Sequence, residues 1–151
     1  VKLLSTILLA YLALGLQRGL SPFLTFKSGA AFDLPYVAAA TAAVLLPRES
    51  AATAMFVIGF FHDLTSGGPL GARAVGYGLA GLIIGRVAPR SAGTFAAVAA
   101  AGSLVAATAI AVLTFEIHHL LGGVLTAALA AALAWPAWKL RDRLTVSDRR
   151  M

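Results

Sequence analysis

Six apolar runs separated by short polar breaks fill nearly the whole chain: residues 3–20, 34–46, 50–61, 69–87, 94–115 and 120–138. That pattern leaves few folds open, because a helix that is apolar on every side must be buried in protein or in lipid. Only 12% of residues are charged and 60% are hydrophobic, with a mean hydropathy of +0.88, against about 25% charged in ordinary soluble domains. A water-soluble domain would need a larger core than 151 residues can wrap. The prediction is an all-α, polytopic membrane helical bundle of about six short transmembrane helices over residues 1–140, with a basic cytoplasmic tail at 141–151.

In chain order, the first run ends without a small-residue cleavage site and reads as an uncleaved span. Residues 18–33 read as a connector, closing on Asp33-Leu34-Pro35, where a carboxylate cap and an early proline favour a helix start. Runs two and three are shorter than the about 20 residues that a full span takes. They read as two short spans or as a helical hairpin buried in the bundle, so five spans plus a re-entrant pair is the alternative to six. Alanine dominates runs five and six, which implies closely packed helices.

The net charge of +6 does not point to nucleic acid, because the basic residues sit in short loops and the tail. With six spans, Lys2, Arg48, Arg86, Arg90, Lys139, Arg141, Arg143, Arg149 and Arg150 share one side, nine of the twelve. Arg18, Lys27 and Arg73 fall on the other. This asymmetry predicts cytoplasmic termini, with Trp135 and Trp138 in the inner interfacial belt. The absence of cysteine excludes disulfides and thiolate metal sites.

Residues 59–85 organise the rest. An apolar run ends at His62-Asp63, a tight turn follows through Thr65-Ser66-Gly67-Gly68-Pro69, and a second run then carries small residues at helical spacing. Ala74, Gly78, Gly81 and Gly85 share one face, which lets another helix backbone approach closely, as helices do in lipid. That face, or the alanine faces of the fifth and sixth helices, is expected to dock a partner helix. Asp63 is expected to bond the free amides of Thr65 to Gly68 and hold the hinge, with Arg73 as an ion-pair partner. Pro69 is placed in the first turn of the fourth helix, with Gly68 at positive φ before it.

The same topology gathers His62, Asp63, Arg73, Glu116, His118 and His119 at the outer face. Imidazole and carboxylate are metal-ligand types, but no metalloprotease spacing is present, and polar residues cluster wherever helices leave lipid. The reading is therefore no metal and no cofactor. Neither a phosphate loop nor a GxSxG elbow occurs, so no catalytic residues are assigned.

The order of features resembles MreD, the rod-shape-determining integral membrane protein of bacterial wall elongation. The resemblance is carried by the short second run ending in Pro47-Arg48 and by the hinge residues Gly59, Asp63, Leu64, Ser66, Gly67, Gly68, Pro69, Leu70 and Gly71. It continues through Arg73-Ala74, the glycine-lined fourth helix and Trp135-Pro136 before the basic tail. His62 before the aspartate and the high alanine content depart from the pattern. The resemblance implies a non-enzymatic scaffold of the bacterial inner (cytoplasmic) membrane, within the elongation complex or elongasome that supports peptidoglycan synthesis and cell shape. Its implied partners are MreC, through that protein's single transmembrane helix, the actin-like MreB, the SEDS polymerase and its penicillin-binding transpeptidase. It also implies a fold resembling the substrate-binding subunits of energy-coupling-factor transporters. The alternative function is a vitamin-transporter-like carrier subunit binding a small molecule in an outer polar pocket near Asp63, Arg73, Glu116 and His119.

Overall fold

The computed structural model describes residues 2–148, with side chains described for 8–23 and 25–143. Val1, Arg149, Arg150, Met151 and the side chain of Lys2 lie outside the described residues. The described residues are all-α, with six helices: α1 (Lys2–Leu24), α2 (Leu34–Leu45), α3 (Arg48–Ser66), α4 (Ala72–Val87), α5 (Ala92–Thr114) and α6 (His118–Asp148).

The helix starts follow local chemistry. Asp33 caps α2, its carboxylate accepting the Tyr36 amide at 3.0 Å, with Pro35 in the first turn. Ser91 and Thr94 form a reciprocal capping box at the start of α5. Two helices outrun their apolar stretches. The first continues through Arg18 and Pro22, where a connector was expected, and α6 runs past Trp138 across Pro136 to Asp148. The α1–α2 connector is therefore short, closed by an isolated bridge between Thr25 and Ala31.

The short second run becomes the centre of the molecule. Residues 35–40 of α2 are consecutively buried, together with Ala42 and Ala43, and all five other helices pack against it. At 12 residues this helix is about 18 Å long. A helix walled in by protein does not have to reach across a bilayer unaided. Its neighbour α3 is longer, at 19 residues, and leaves Phe56, Val57, Phe60 and Phe61 exposed.

Helices α3 and α4 form an antiparallel pair. Gly59 lies against Arg73 and Ala74, Gly81 against Ala51 and Ala52, and Gly85 against Arg48. A methyl group on Gly81 would fall 2.8 Å from the Ala52 Cα and 2.9 Å from the Ala51 carbonyl oxygen. Ala74 is fully buried, and Gly78 faces the Phe56 ring. The expectation that Ala74, Gly78, Gly81 and Gly85 receive a separate partner helix is thus corrected. The ridge does carry a helix, but that helix is α3, because the turn after Ser66 folds α4 straight back onto it.

The exterior is apolar. Leu12, Leu16, Leu82, Val112, Leu121 and Val124 are all more than two-fifths exposed. Ala92–Thr114 and His118–Arg143 are long and apolar enough to cross a membrane, with 33% and 22% of their apolar windows buried. A shielded core helix of a soluble domain would be mostly buried. At one end of the bundle Arg48 and Arg141 border a small cavity with Ala88 and Pro89. Nearby on α6, Lys139 and Arg141 sit over the rings of Trp135 and Trp138, at 3.9 and 4.3 Å. Arg18 belongs to the opposite end, donating to the Thr65 carbonyl at 2.9 Å.

Gly81→Leu is expected to destabilise the isolated chain itself, by at least about 1–3 kcal/mol of overpacking. Thermal unfolding in detergent reads this out. An unchanged melting temperature would mean that α3 does not lie on this ridge.

Candidate functional site

The hinge is built from Asp63 outward. Helix α3 ends at Ser66, and the chain turns through Gly67 (φ 69°) and Gly71 (φ 95°), both left-handed. Such backbone is cheap only for glycine. The first amides of a helix have no acceptor within it, and α4 lacks a side-chain cap on its own N-cap residue, Gly71. Asp63 supplies the acceptor from the last turn of α3. Its Oδ2 accepts the amides of Gly71 at 3.0 Å and Ala74 at 3.1 Å, while the Arg73 amide reaches both oxygens at 3.1 and 3.2 Å.

The carboxylate is 1% exposed, and the positive end of the α4 dipole favours its charge. Arg73 Nη1 lies 3.5 Å from Oδ1 and donates to Ser66 Oγ at 2.8 Å. Gly59, one turn before Asp63, completes the seat: a Cβ there would be 2.5 Å from the Arg73 carbonyl oxygen. Leu64 and Leu70 point outward, 53% and 69% exposed.

Three details of the expected hinge change. Asp63 bonds amides at the start of α4 rather than those of Thr65 to Gly68, because its side chain projects across the helix pair. Pro69 lies in the linker ahead of the first turn of α4. Positive φ belongs to Gly67 and Gly71 rather than to Gly68.

A second, partly buried carboxylate ties the bundle together. Asp33 Oδ1 accepts the Tyr77 hydroxyl of α4 at 2.5 Å, and His62 Nδ1 of α3 lies 3.0 Å from that hydroxyl and 3.7 Å from the carboxylate. The Asp33 amide donates to Thr126 Oγ1 of α6 at 2.9 Å. From α1, Gln17 accepts the Leu34 amide and donates to the Phe32 carbonyl. Tyr36, edge-on to Tyr77, donates to the Ala99 carbonyl of α5 at 2.9 Å. A cavity of about 190 Å³ adjoins this network, lined among others by Asp33, His62, Arg73, Thr126, His118 and His119. Among the described residues, every buried side-chain polar atom has a hydrogen-bond partner.

The six residues assigned to the outer cluster therefore divide. Asp63 turns into the hinge with Arg73, and His62 joins Asp33 and Tyr77. The remaining three form their own group, with Glu116 Oε2 3.1 Å from His119 Nε2 and 3.5 Å from His118 Nε2. Sequence reasoning placed Asp33 only as a cap and missed Tyr77, Tyr36, Gln17 and Thr126. The available signal was their chemistry, since a hydroxyl or amide inside an apolar run must find a partner when buried. No family model, curated protein or solved structure matches the chain.

Asp63→Asn keeps the shape but offers one acceptor oxygen to three amides. It is expected to cost about 1.5–3 kcal/mol, with Asp63→Ala worse, as measured by thermal unfolding. Tyr77→Phe removes the hydroxyl between Asp33 and His62, and the exposed shortfall is expected to lower stability by about 1–3 kcal/mol. Equal stability of Tyr77→Phe and the parent chain would mean that this network does not tie the helices.

Proposed function

We propose that this chain is a non-enzymatic, multi-pass scaffold of the bacterial cytoplasmic membrane, acting in the wall-elongation complex and docking the single transmembrane helix of an MreC-type partner. The hinge carries this reading. Gly59, Asp63, Gly67, Gly71, Arg73 and Ala74, which bear the resemblance to MreD, each have a defined mechanical task in folding α4 onto α3. A motif whose residues are spent on positioning backbone suits assembly better than chemistry.

The apolar exterior supports six membrane segments, with α2 sheltered at their centre. Arg48 and Arg141 border one cavity and Lys139 lies close by on α6, and this gathering of basic side chains at one end supports cytoplasmic termini.

With the glycine ridge occupied by α3, we assign the partner helix to the groove between α1 and α3. That groove holds about 540 Å³ and is lined by Ala10, Tyr11, Ser50, Thr53, Ala54 and Val57 among others. Its small residues allow close helix approach. The carrier alternative has one observation in its favour, the outer polar cavity. At about 190 Å³, however, that cavity is smaller than the roughly 300–1,000 Å³ of ordinary ligand sites.

Co-expression with the single-span MreC-type protein of the same organism is expected to yield a complex that survives purification in detergent. Ala54→Trp, which fills the groove, is expected to reduce recovery of the partner at least about tenfold, matching a loss of about 1.4 kcal/mol, while Val105→Trp on α5 leaves it unchanged. Failure of the parent chain to retain the partner would overturn the scaffold reading. Retention unaffected by Ala54→Trp would overturn the assignment of the groove.

A further inference from the structure

The corner between α5 and α6 holds a group that the scaffold reading does not use. Helix α5 closes on Phe115 in the left-handed conformation (φ 58°), its amide and that of Glu116 both bonded to the Ala111 carbonyl. The next turn starts at once, with the His119 amide donating to the Glu116 carbonyl. Glu116, in the turn ahead of α6, and His119, in its first turn, are therefore three residues apart with their side chains meeting. His118 is turned to the same spot by packing against Gly29 of the α1–α2 connector, whose Cβ position lies 3.7 Å from the His118 ring.

We propose that Glu116, His118 and His119 bind a divalent transition-metal ion of the zinc class. Two imidazoles and one carboxylate, with a fourth position for water, form a recurrent zinc ligand set. Ligands about 2.0–2.2 Å from a tetrahedral ion are roughly 3.3 Å from one another. Glu116 Oε2 lies 3.1 and 3.5 Å from the two Nε2 atoms, close to that edge on both sides. All three donor atoms lie within 4.8 Å of one another. The rings converge at a centroid distance of 4.3 Å and a tilt of 38°.

The side chains are partly exposed, at 38%, 20% and 54% for His118, His119 and Glu116, so an ion can enter without opening the bundle. Two other charged groups line the adjoining cavity, Asp33 and Arg73. Asp33 favours a cation, and Arg73 is held by an ion pair with Asp63 and a hydrogen bond to Ser66. This proposal does not rest on the scaffold reading.

The test uses tag-free full chain in detergent micelles, titrated with Zn²⁺ by calorimetry and with Co²⁺ by visible absorption. A single ion per chain is expected, with the intense absorption of four-coordinate cobalt and a rise in melting temperature on adding Zn²⁺. Glu116→Gln and His118→Asn are each expected to weaken binding by at least about tenfold while melting like the parent chain in the absence of metal. His62→Gln is expected to bind as the parent does. Uptake no greater than by empty micelles, or affinity unchanged in both Glu116→Gln and His118→Asn, would overturn the proposal.

Discussion

The carboxylate of Asp63 at the head of α4 is the interaction on which the rest of the architecture depends. A helix start carries several amides without acceptors, and in apolar surroundings each unpaired amide costs far more than it would in water. Here one residue from the preceding helix answers three of them. That link sets the angle at which α4 returns, and the return angle decides that the glycine ridge meets α3. Gly59 is part of the same device, since any side chain there would push the Arg73 carbonyl away.

Close approach is the second theme, and it runs through the whole interior. Gly76 abuts the Ala106 carbonyl of α5, Gly102 faces the Tyr36 hydroxyl, and Gly122 sits on the Ala31 carbonyl. Between them the buried positions are mostly alanine, with Tyr36, Tyr77, Phe95, Met55 and Ile84 among the larger exceptions. Dispersion contacts between nearly bare backbones take the place of interlocking side chains. Asp33, Tyr77, Thr126 and Gln17 add directional bonds between helices, which fix a register that small side chains alone leave loose.

Much of this was legible from the chain, and what was not has identifiable reasons. The six runs gave six helices because apolar length and polar breaks are local properties. Asp33 was placed at a helix start by its neighbours Leu34 and Pro35. The glycine spacing correctly implied a docked helix, yet spacing cannot say whose helix arrives. The direction of Asp63 was misjudged because an aspartate can serve the turn ahead of it or the helix beside it, and only the return of α4 decides. Helix ends were also obscure, since Arg18 and Pro22 argue locally for a connector and the charges from Lys139 onward for a tail, while the flanking residues sustain both helices. The convergence of His118 on Glu116 needed the packing of Gly29, which comes from a distant part of the chain.

The burial of α2 bears on how such a chain is assembled. A segment of 12 residues leaves roughly 12 Å of a bilayer's apolar thickness of about 30 Å uncovered. In a bilayer it would be a poor lodger until α1 and α3 flank it, and its inward surface is finished only once α5 and α6 arrive. In that setting, insertion strictly one helix after another would strand it, whereas entry of α2 and α3 together as a hairpin would give its outward surface a neighbour from the start.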